Sequence, residues 1–252
     1  MAREPRKPSD PEEAAFLAAY DPTVFPRPSV AVDVVLLSAP QNHLHTVVVR
    51  RNEHPHRGRW ALPGGFVRME ESLDAAAIRV LEAKAGLRQV YLEQLYSFGQ
   101  PHRDPRTRVI AVAYYALVDH ERIRPPAGSA EVTSARIVVP WEGETGGPVK
   151  LVSATGTALP LAFDHAEIVG TAVKRLRGKL DYSPVGFQLL GETFTLFELQ
   201  RVHETVLGRP VNKDSFRRRQ LASGLLEATG EVETGVGHRP AELYRFRRRA
   251  AV

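Results

Sequence analysis

A chain of 252 residues has room for one large and one small domain, each able to bury a core. At 43% hydrophobic and 25% charged it has an ordinary soluble composition, with no apolar run long enough to span a membrane and a polar N-terminus unlike a signal peptide, so a cytoplasmic protein is expected. The absence of cysteine excludes a disulfide framework, a cysteine zinc finger and a thiol nucleophile, and a net charge of +5 permits an anionic partner without requiring one.

Residues 1–12 are rich in proline and charge and are expected to be disordered. Residues 13–20 predict a short helix, ended by Pro22, Pro26 and Pro28. The β-branched runs 30–37 and 46–50, separated by a polar stretch, predict a strand pair. The loop 52–59 then brings His54, His56, Arg57 and Arg59 ahead of Trp60. Together with His45 these histidines suggest a metal at first sight, but the cations around them repel one, and a solvated basic loop is the better reading. Arg50, Arg51 and Arg59 are different: their planar forks can grip phosphate.

Trp60 and the run Leu62-Pro63-Gly64-Gly65 lead into a loop–helix–loop unit. Gly65 is followed by Glu71, Arg79 and the closing pair Gly86-Leu87. An amphipathic helix with residues 75–78 packed inward accounts for the helix but not for the Trp and Gly-Gly run ahead of it. The spacing resembles the Nudix box: G, five residues, E, seven residues, R-E-U, one residue, E-E, one residue, G-U, with U aliphatic. Gly65, Glu71, Arg79, Leu81, Gly86 and Leu87 fall on that pattern, whereas Val80, Ala83 and Lys84 stand where the box carries metal-holding glutamates. Hydrolysing a diphosphate needs a divalent cation held by several carboxylates. Glu82 sits one position early, which turns it by about 100° around the helix. Lys84 puts an ammonium where a ligand belongs; it repels a cation and suits a diphosphate. The expectation is a scaffold that keeps a nucleotide cradle and lacks the catalyst.

Residues 90–99 and 109–118 predict two further strands. The loop between them, Ser97 to Arg106, holds two prolines and a glycine and is expected to be rigid. It offers Phe98, Arg103, Asp104 and Arg106 to a ligand; the alternative is a plain surface connection. Residues 121–134 predict a loop, 135–139 a strand and 142–157 a Gly- and Thr-rich excursion. Asp164 is the expected N-cap of a helix running to about residue 177, with His165 and Glu167 open between helix-start polarity, dimer contact, ligand contact and no role. Residues 178–183 are the hinge candidate.

Thr195 and Glu198 form a capping box ahead of a helix with Leu196, Leu199, Val202 and Val206 on one face, stopped by Gly208 and Pro210. Asn212 caps a second helix over 213–223. Two helices joined by a short Gly/Pro turn predict a helix-turn-helix. On the second helix Phe216, Gln220 and Leu221 are expected inward, leaving Lys213, Asp214, Ser215, Arg217, Arg218 and Arg219 on or near the opposite face. Leu225-Leu226 and residues 241–246 then pair around a Gly-rich tip as a wing, with His238, Arg239, Arg245, Arg247, Arg248 and Arg249 adding charge. From Arg201 onward eleven Lys/Arg face six Asp/Glu. That charge sits on the recognition helix, wing and tail, where phosphate contacts give affinity and side chains at the helix start read base edges. The other use of such a unit is protein contact, with the arginines as a solvated face.

A degenerate Nudix box followed by a winged helix resembles the Nudix-related transcriptional regulators of NAD metabolism. The resemblance runs from Phe25-Pro26-Arg27-Pro28-Ser29 through the box and Phe163 to Glu167, then on through the two helices to Arg239-Pro240-Ala241-Glu242-Leu243-Tyr244-Arg245-Phe246. It implies an α+β chain in three parts: a tail and short helix (1–25), a Nudix α/β/α sandwich with a mixed sheet that binds effector (26–180), and a small winged helix-turn-helix (184–252). It also implies a homodimeric repressor, bound to a palindromic operator and released by ADP-ribose or a related NAD metabolite, with no cofactor. Arg51, Trp60, Gly64, Gly65, Arg79, Lys84, Phe98, Arg103, Asp104 and Arg106 are the expected effector contacts. Asn212, Lys213, Asp214, Ser215, Arg217, Arg218, Arg219, Arg239 and Arg245 are the expected DNA contacts. The competing classes are a Mg²⁺-dependent Nudix hydrolase using Glu70, Glu71 and Glu82, and an RNA- or protein-binding adaptor.

Overall fold

A computed structural model of the chain describes residues 10–124, 131–180, 182–237 and 239–247. The expectations for residues 1–9, His238, Arg248 and Arg249 lie outside the described residues. In chain order come helix α1 (Pro11–Ala19), β1 (Ser29–Ser38), β2 (His45–Arg50), β3 (Trp60–Ala61), β4 (Gly64–Phe66), α2 (Leu73–Ala85), β5 (Tyr91–Phe98), β6 (Val109–Leu117), β7 (Val132–Val138), β8 (Lys150–Val152) and α3 (His165–Lys179). The C-terminal part adds β9 (Thr193–Thr195), α4 (Leu196–Leu207), α5 (Lys213–Ala222), β10 (Leu226–Val232) and β11 (Glu242–Phe246). Among the described residues no helix is long and apolar enough to cross a membrane.

Strand β1 organises the larger part. It pairs in parallel with β6 and antiparallel with β2 and β4, in a mixed sheet of order β5-β6-β1-β2-β7-β8 with β3 against β2. Side chains alternate across a strand. Val32, Val34 and Leu36 therefore meet Ala76, Ala77, Val80 and Leu81 of α2, while Val35 and Leu37 share the opposite core with Ile168, Val169 and Val173 of α3. A strand covered on both faces needs a nearly unbroken apolar run. The one acid in that run, Asp33, is buried on the α3 side of the sheet.

Helix α2 starts at Ser72, whose hydroxyl accepts from the Ala75 N–H at 3.2 Å, and stops at left-handed Gly86. Only glycine fits there: φ is +66°, and a Cβ would lie 2.0 Å from the Arg124 carbonyl oxygen. Its inward face is Ala76, Ala77, Val80, Leu81 and Ala85. Of the block 75–78 that a plain amphipathic helix would turn inward, Ala76 and Ala77 are buried while Ala75 and Ile78 are exposed, since a contiguous block cannot follow a period of about 3.6 residues. Helix α1 begins before the expected residue 13 because Asp10 caps it and Pro11 suits the first turn. Strand β7 begins at Val132, inside the expected loop, and β8 is a three-residue edge strand inside the expected excursion. Strands so short carry little periodic signal.

In the C-terminal part β10-β11-β9 form a small sheet, with Phe187, Phe194, Leu196, Leu199, Phe216 and Tyr244 as its core. The capping box holds, with Glu198 N donating to the Thr195 hydroxyl at 3.1 Å and Thr195 N to the Glu198 carboxylate at 2.7 Å. Phe216 is the single buried residue of α5; Gln220 is half-buried and Leu221 exposed, which corrects the expected inward trio. Val202 and Val206 of α4 join the larger core beside Leu176 and Leu180. The expected hinge is thus packed rather than free at Leu180.

Candidate functional site

A cleft of about 200 Å³ opens where β1, the β3–β4 turn, the 97–106 loop and the start of α3 converge. It is lined by Ala31, Asp33, Arg51, Ala61, Leu62, Gly64, Gly65, Phe66, Arg103, Asp104, Arg106, Val109, Phe163 and His165. Gly64 pairs with Asp33 across β4 and β1, and a Cβ there would lie 2.4 Å from the Asp33 carboxylate. The glycine is what lets a buried acid sit at the floor.

Arg103 ties the loop to α3. Its Nε and Nη2 donate to the two oxygens of Asp164 at 2.9 and 2.6 Å, and Nη2 reaches Asp33 at 3.5 Å. Burial works against the Arg103 charge, but the carboxylates outweigh it and its pKa rises. Asp164 stands at the expected N-cap position of α3, but it spends its carboxylate on Arg103 and makes no side-chain capping bond. His165 is buried and its pKa is pushed down by burial, against the pull of Asp33 and Asp164. Its Nδ1 lies 2.9 Å from the Leu62 N–H, so in the neutral ring Nδ1 accepts and Nε2 carries the proton towards Asp33, 3.7 Å away. Buried Asp104 accepts from the Arg106 backbone N–H and from its Nε and Nη2, which holds its carboxyl below the usual range.

Two cations stand over aromatic rings at the cleft. Arg51 lies 4.9 Å from the centre of Phe163 and Arg106 5.5 Å from that of Phe66. The Nε of Arg51 donates to the Pro55 carbonyl at 2.7 Å, and burial followed by repulsion from Arg106 lowers its pKa. Arg103 and Arg106 have carboxylate partners; Arg51 forms no ion pair among the described residues.

Six of the ten expected effector residues line the cleft: Arg51, Gly64, Gly65, Arg103, Asp104 and Arg106. Four do not. Trp60 is buried in the larger core, and Phe98 packs at its margin, edge-on to Tyr96 at 5.5 Å. Arg79 grips Glu71, Nε to Oε2 at 2.9 Å, and donates to the Phe66 carbonyl. Lys84 is half-buried on α2, outside the lining. His165, left open as a ligand contact, lines the cleft; Asp33, Phe66 and Phe163 were not among the expected contacts. A lone acid inside an apolar strand was the one legible signal among them.

Of the three carboxylates of the competing hydrolase reading, Glu71 and Glu82 are engaged by arginines and Glu70 is exposed. The Arg79 fork and the Arg68 N–H hold the Glu71 carboxyl down at about 2. Glu82 pairs with Arg88, and Val80 is buried in the α2 core. Among the described residues no group of three or more His, Asp or Glu is placed to hold a metal ion. His45 stands apart, 3.0 Å from the Ser134 hydroxyl, with its pKa lowered to about 4 by burial and then by His120.

The second candidate surface is α5 and the wing. Asn212 caps α5 by accepting from the Ser215 N–H at 3.0 Å. Lys213, Asp214, Ser215, Arg217, Arg218 and Arg219 are all exposed, as is Arg239 beside the wing. Arg219 lies 6.0 Å from the Phe216 ring. Arg245 on β11 is paired with Glu227 of β10 at 2.7 Å, so its charge is shared within the wing.

A Nudix-type sandwich joined to a winged helix-turn-helix defines the class of protein. The NUDIX domain family matches residues 27–151, and the family described as the NrtR DNA-binding winged helix domain matches residues 186–246. A protein of Acinetobacter baylyi, the ADPR responsive transcriptional repressor NtrR, is 37% identical over 236 residues, covering 93% of this chain and 88% of that one. The crystal structure of Shewanella oneidensis NrtR complexed with a 27mer DNA superposes with a TM-score of 0.71 at 35% identity, covering 86% of this chain and 93% of that one. The NUDIX domain of the same protein complexed with ADP ribose gives a TM-score of 0.51 at 31% identity, over 65% of this chain and 98% of that one. This chain belongs to the NrtR family.

Proposed function

We propose that this chain is a homodimeric transcriptional repressor of NAD-metabolism genes that binds a palindromic operator through α5 and the wing and senses ADP-ribose in the Nudix cleft. The observation that carries the reading is the joining, in one chain, of a cleft bearing Arg51 and Arg106 over aromatic rings to a helix whose cations all face solvent. The relatives support it: one is an ADPR responsive repressor, and Shewanella NrtR has been crystallised with DNA and, as its NUDIX domain, with ADP ribose. In this reading Arg51 takes the diphosphate, Phe66 and Phe163 flank the ligand, Arg106 stays paired with Asp104 at the rim, and Asp33, Arg103 and His165 shape the floor. Lys213, Arg217, Arg218 and Arg219 meet phosphates and base edges of the major groove. The effector domain spans roughly residues 26–180 and the DNA-binding domain 184–252.

The residues do not fit the divalent metal of the Nudix hydrolases. Glu71 is held by Arg79, Glu82 by Arg88, and Val80, Ala83 and Lys84 supply no carboxylate, which leaves Glu70 alone where a divalent cation needs several carboxylates. The protein is therefore read as a sensor that leaves ADP-ribose intact. Incubation of the full chain with ADP-ribose and Mg²⁺ is expected to return the ligand unchanged while a calorimetric titration registers binding. AMP release at turnover rates would overturn the sensor, and sequence-indifferent, salt-insensitive DNA binding would overturn the repressor, since phosphate contacts make affinity fall steeply with salt.

A further inference from the structure

We propose that Arg177 is the residue that couples the cleft to the recognition helix: it latches α3, which begins in the cleft, to the last turn of α4. This deepens the sensor reading above and rests on it. Helix α3 has cleft residues at one end, Phe163 just before it and His165 in its first turn. Arg177 lies twelve residues after His165, about 18 Å along the helix axis at about 1.5 Å per residue. Between them Ile168, Val169, Ala172, Val173 and Leu176 are all fully buried. A helix so tightly packed moves as one body rather than bending.

Arg177 is 5% exposed, yet it forms no ion pair with a carboxylate among the described residues. Backbone carbonyls hold it instead. Its Nε donates to the Val206 oxygen at 2.8 Å, and Nη1 to the oxygens of Gly143 at 2.7 Å and Trp141 at 3.4 Å. The guanidinium also lies 4.8 Å from the centre of the Trp141 ring. Val206 stands in the last turn of α4, where carbonyls lack helical partners and carry the negative end of the helix dipole. If α4 moves away, a buried cation loses a donor bond that nothing else replaces, so the contact is made or broken rather than stretched. The apolar contacts of Leu176 with Val202 and Val206 have no such directionality.

Beyond the latch, the motion is carried on by hydrogen bonds. Glu204 of α4 accepts from the Val211 N–H at 3.1 Å, fixing the turn, and Asn212 caps α5 immediately after it. The cleft of about 660 Å³ beside Arg177, between the two units, gives α4 space into which to swing. A ligand that displaces the start of α3 thereby reaches α5 without touching it.

The test compares wild type with Arg177→Met and Arg177→Lys in the full chain. Calorimetry measures ADP-ribose affinity, and fluorescence anisotropy measures affinity for a duplex from the promoter of the neighbouring genes, with and without saturating ADP-ribose. Both separate affinities are expected to stay within about threefold of wild type, while the ratio of DNA affinities falls from about 5–150 to within about twofold of one in Arg177→Met. Arg177→Lys, which keeps the charge but not the fork, is expected to fall between. A wild-type ratio in Arg177→Met overturns the latch. So does loss of either separate affinity in both variants, which would make Arg177 a purely structural residue. A ratio of one in wild type itself would instead overturn the sensor reading on which the latch stands.

Discussion

Arginine is used in opposite ways in the two halves of the molecule. Around the cleft Arg79, Arg103 and Arg106 are each locked to a carboxylate, and Arg103 is almost wholly buried between Asp164 and Asp33. On α5 Lys213, Arg217 and Arg218 stand in solvent, and none of them forms an ion pair among the described residues. A paired guanidinium fixes geometry and has little charge left to give; an exposed one costs little to hold and attracts any polyanion. The first half is built for shape, the second for electrostatic capture. Between them Arg51 is the cleft cation that keeps its charge available, and Arg177 is the cation held by carbonyls at the seam.

Breaking a locked pair has the largest expected effect. Asp164→Ala leaves Arg103 buried with only the longer contact to Asp33, and is expected to cost about 3–5 kcal/mol in denaturant unfolding at unchanged m-value. Phe216→Ala removes the single anchor of α5 and is expected to cost about 3 kcal/mol, because one face of that helix is already in water. DNA binding should be lost in this variant while calorimetry still registers ADP-ribose. The double variant Arg217→Ala/Arg218→Ala is expected to fold as wild type and to lower the slope of log affinity against log salt by about 2. A slope equal to that of wild type would remove both residues from the phosphate contacts.

The smallest effect is a pH dependence. His165 and His45 have folded-state pKa values below the ordinary histidine value, His45 at about 4. Between the folded and unfolded pKa the unfolded chain binds more protons, so stability is complete above about pH 6.5 and declines as pH falls below it. Melting temperature followed from pH 7.5 to 5 should drop, and His165→Asn should flatten that drop. A flat wild-type profile would show that neither histidine has a lowered pKa in the folded protein.

Much of this was legible in the sequence, and the failures have a common cause. The β1 run, the capping box at Thr195 and Glu198, the Asn212 cap and the wing are local patterns, and each forms as expected. Contacts between distant residues were not legible. Arg103 and Asp164 are 61 residues apart, and their pairing takes up the carboxylate that would otherwise cap α3. Arg79 fell on the motif, but spacing alone does not say that its fork turns to Glu71 rather than to the cleft. Trp60 and Phe98 belong to the core for the same reason: an aromatic residue beside a glycine run packs either against ligand or against apolar neighbours, and only the fold decides. Asp33 could have been found, since an acid in a strand buried on both faces requires a partner.

The most direct measurement is the ADP-ribose concentration that half-releases the protein from operator DNA, for wild type and for Arg51→Ala side by side. If Arg51 supplies the unpaired charge that meets the diphosphate, wild type is released and the variant needs at least about tenfold more ligand, since a hydrogen bond to a charged group contributes about 1.5–3 kcal/mol. Equal half-release concentrations would contradict the account, because the cleft would then be sensing its ligand without the lining arginine that has no carboxylate partner among the described residues.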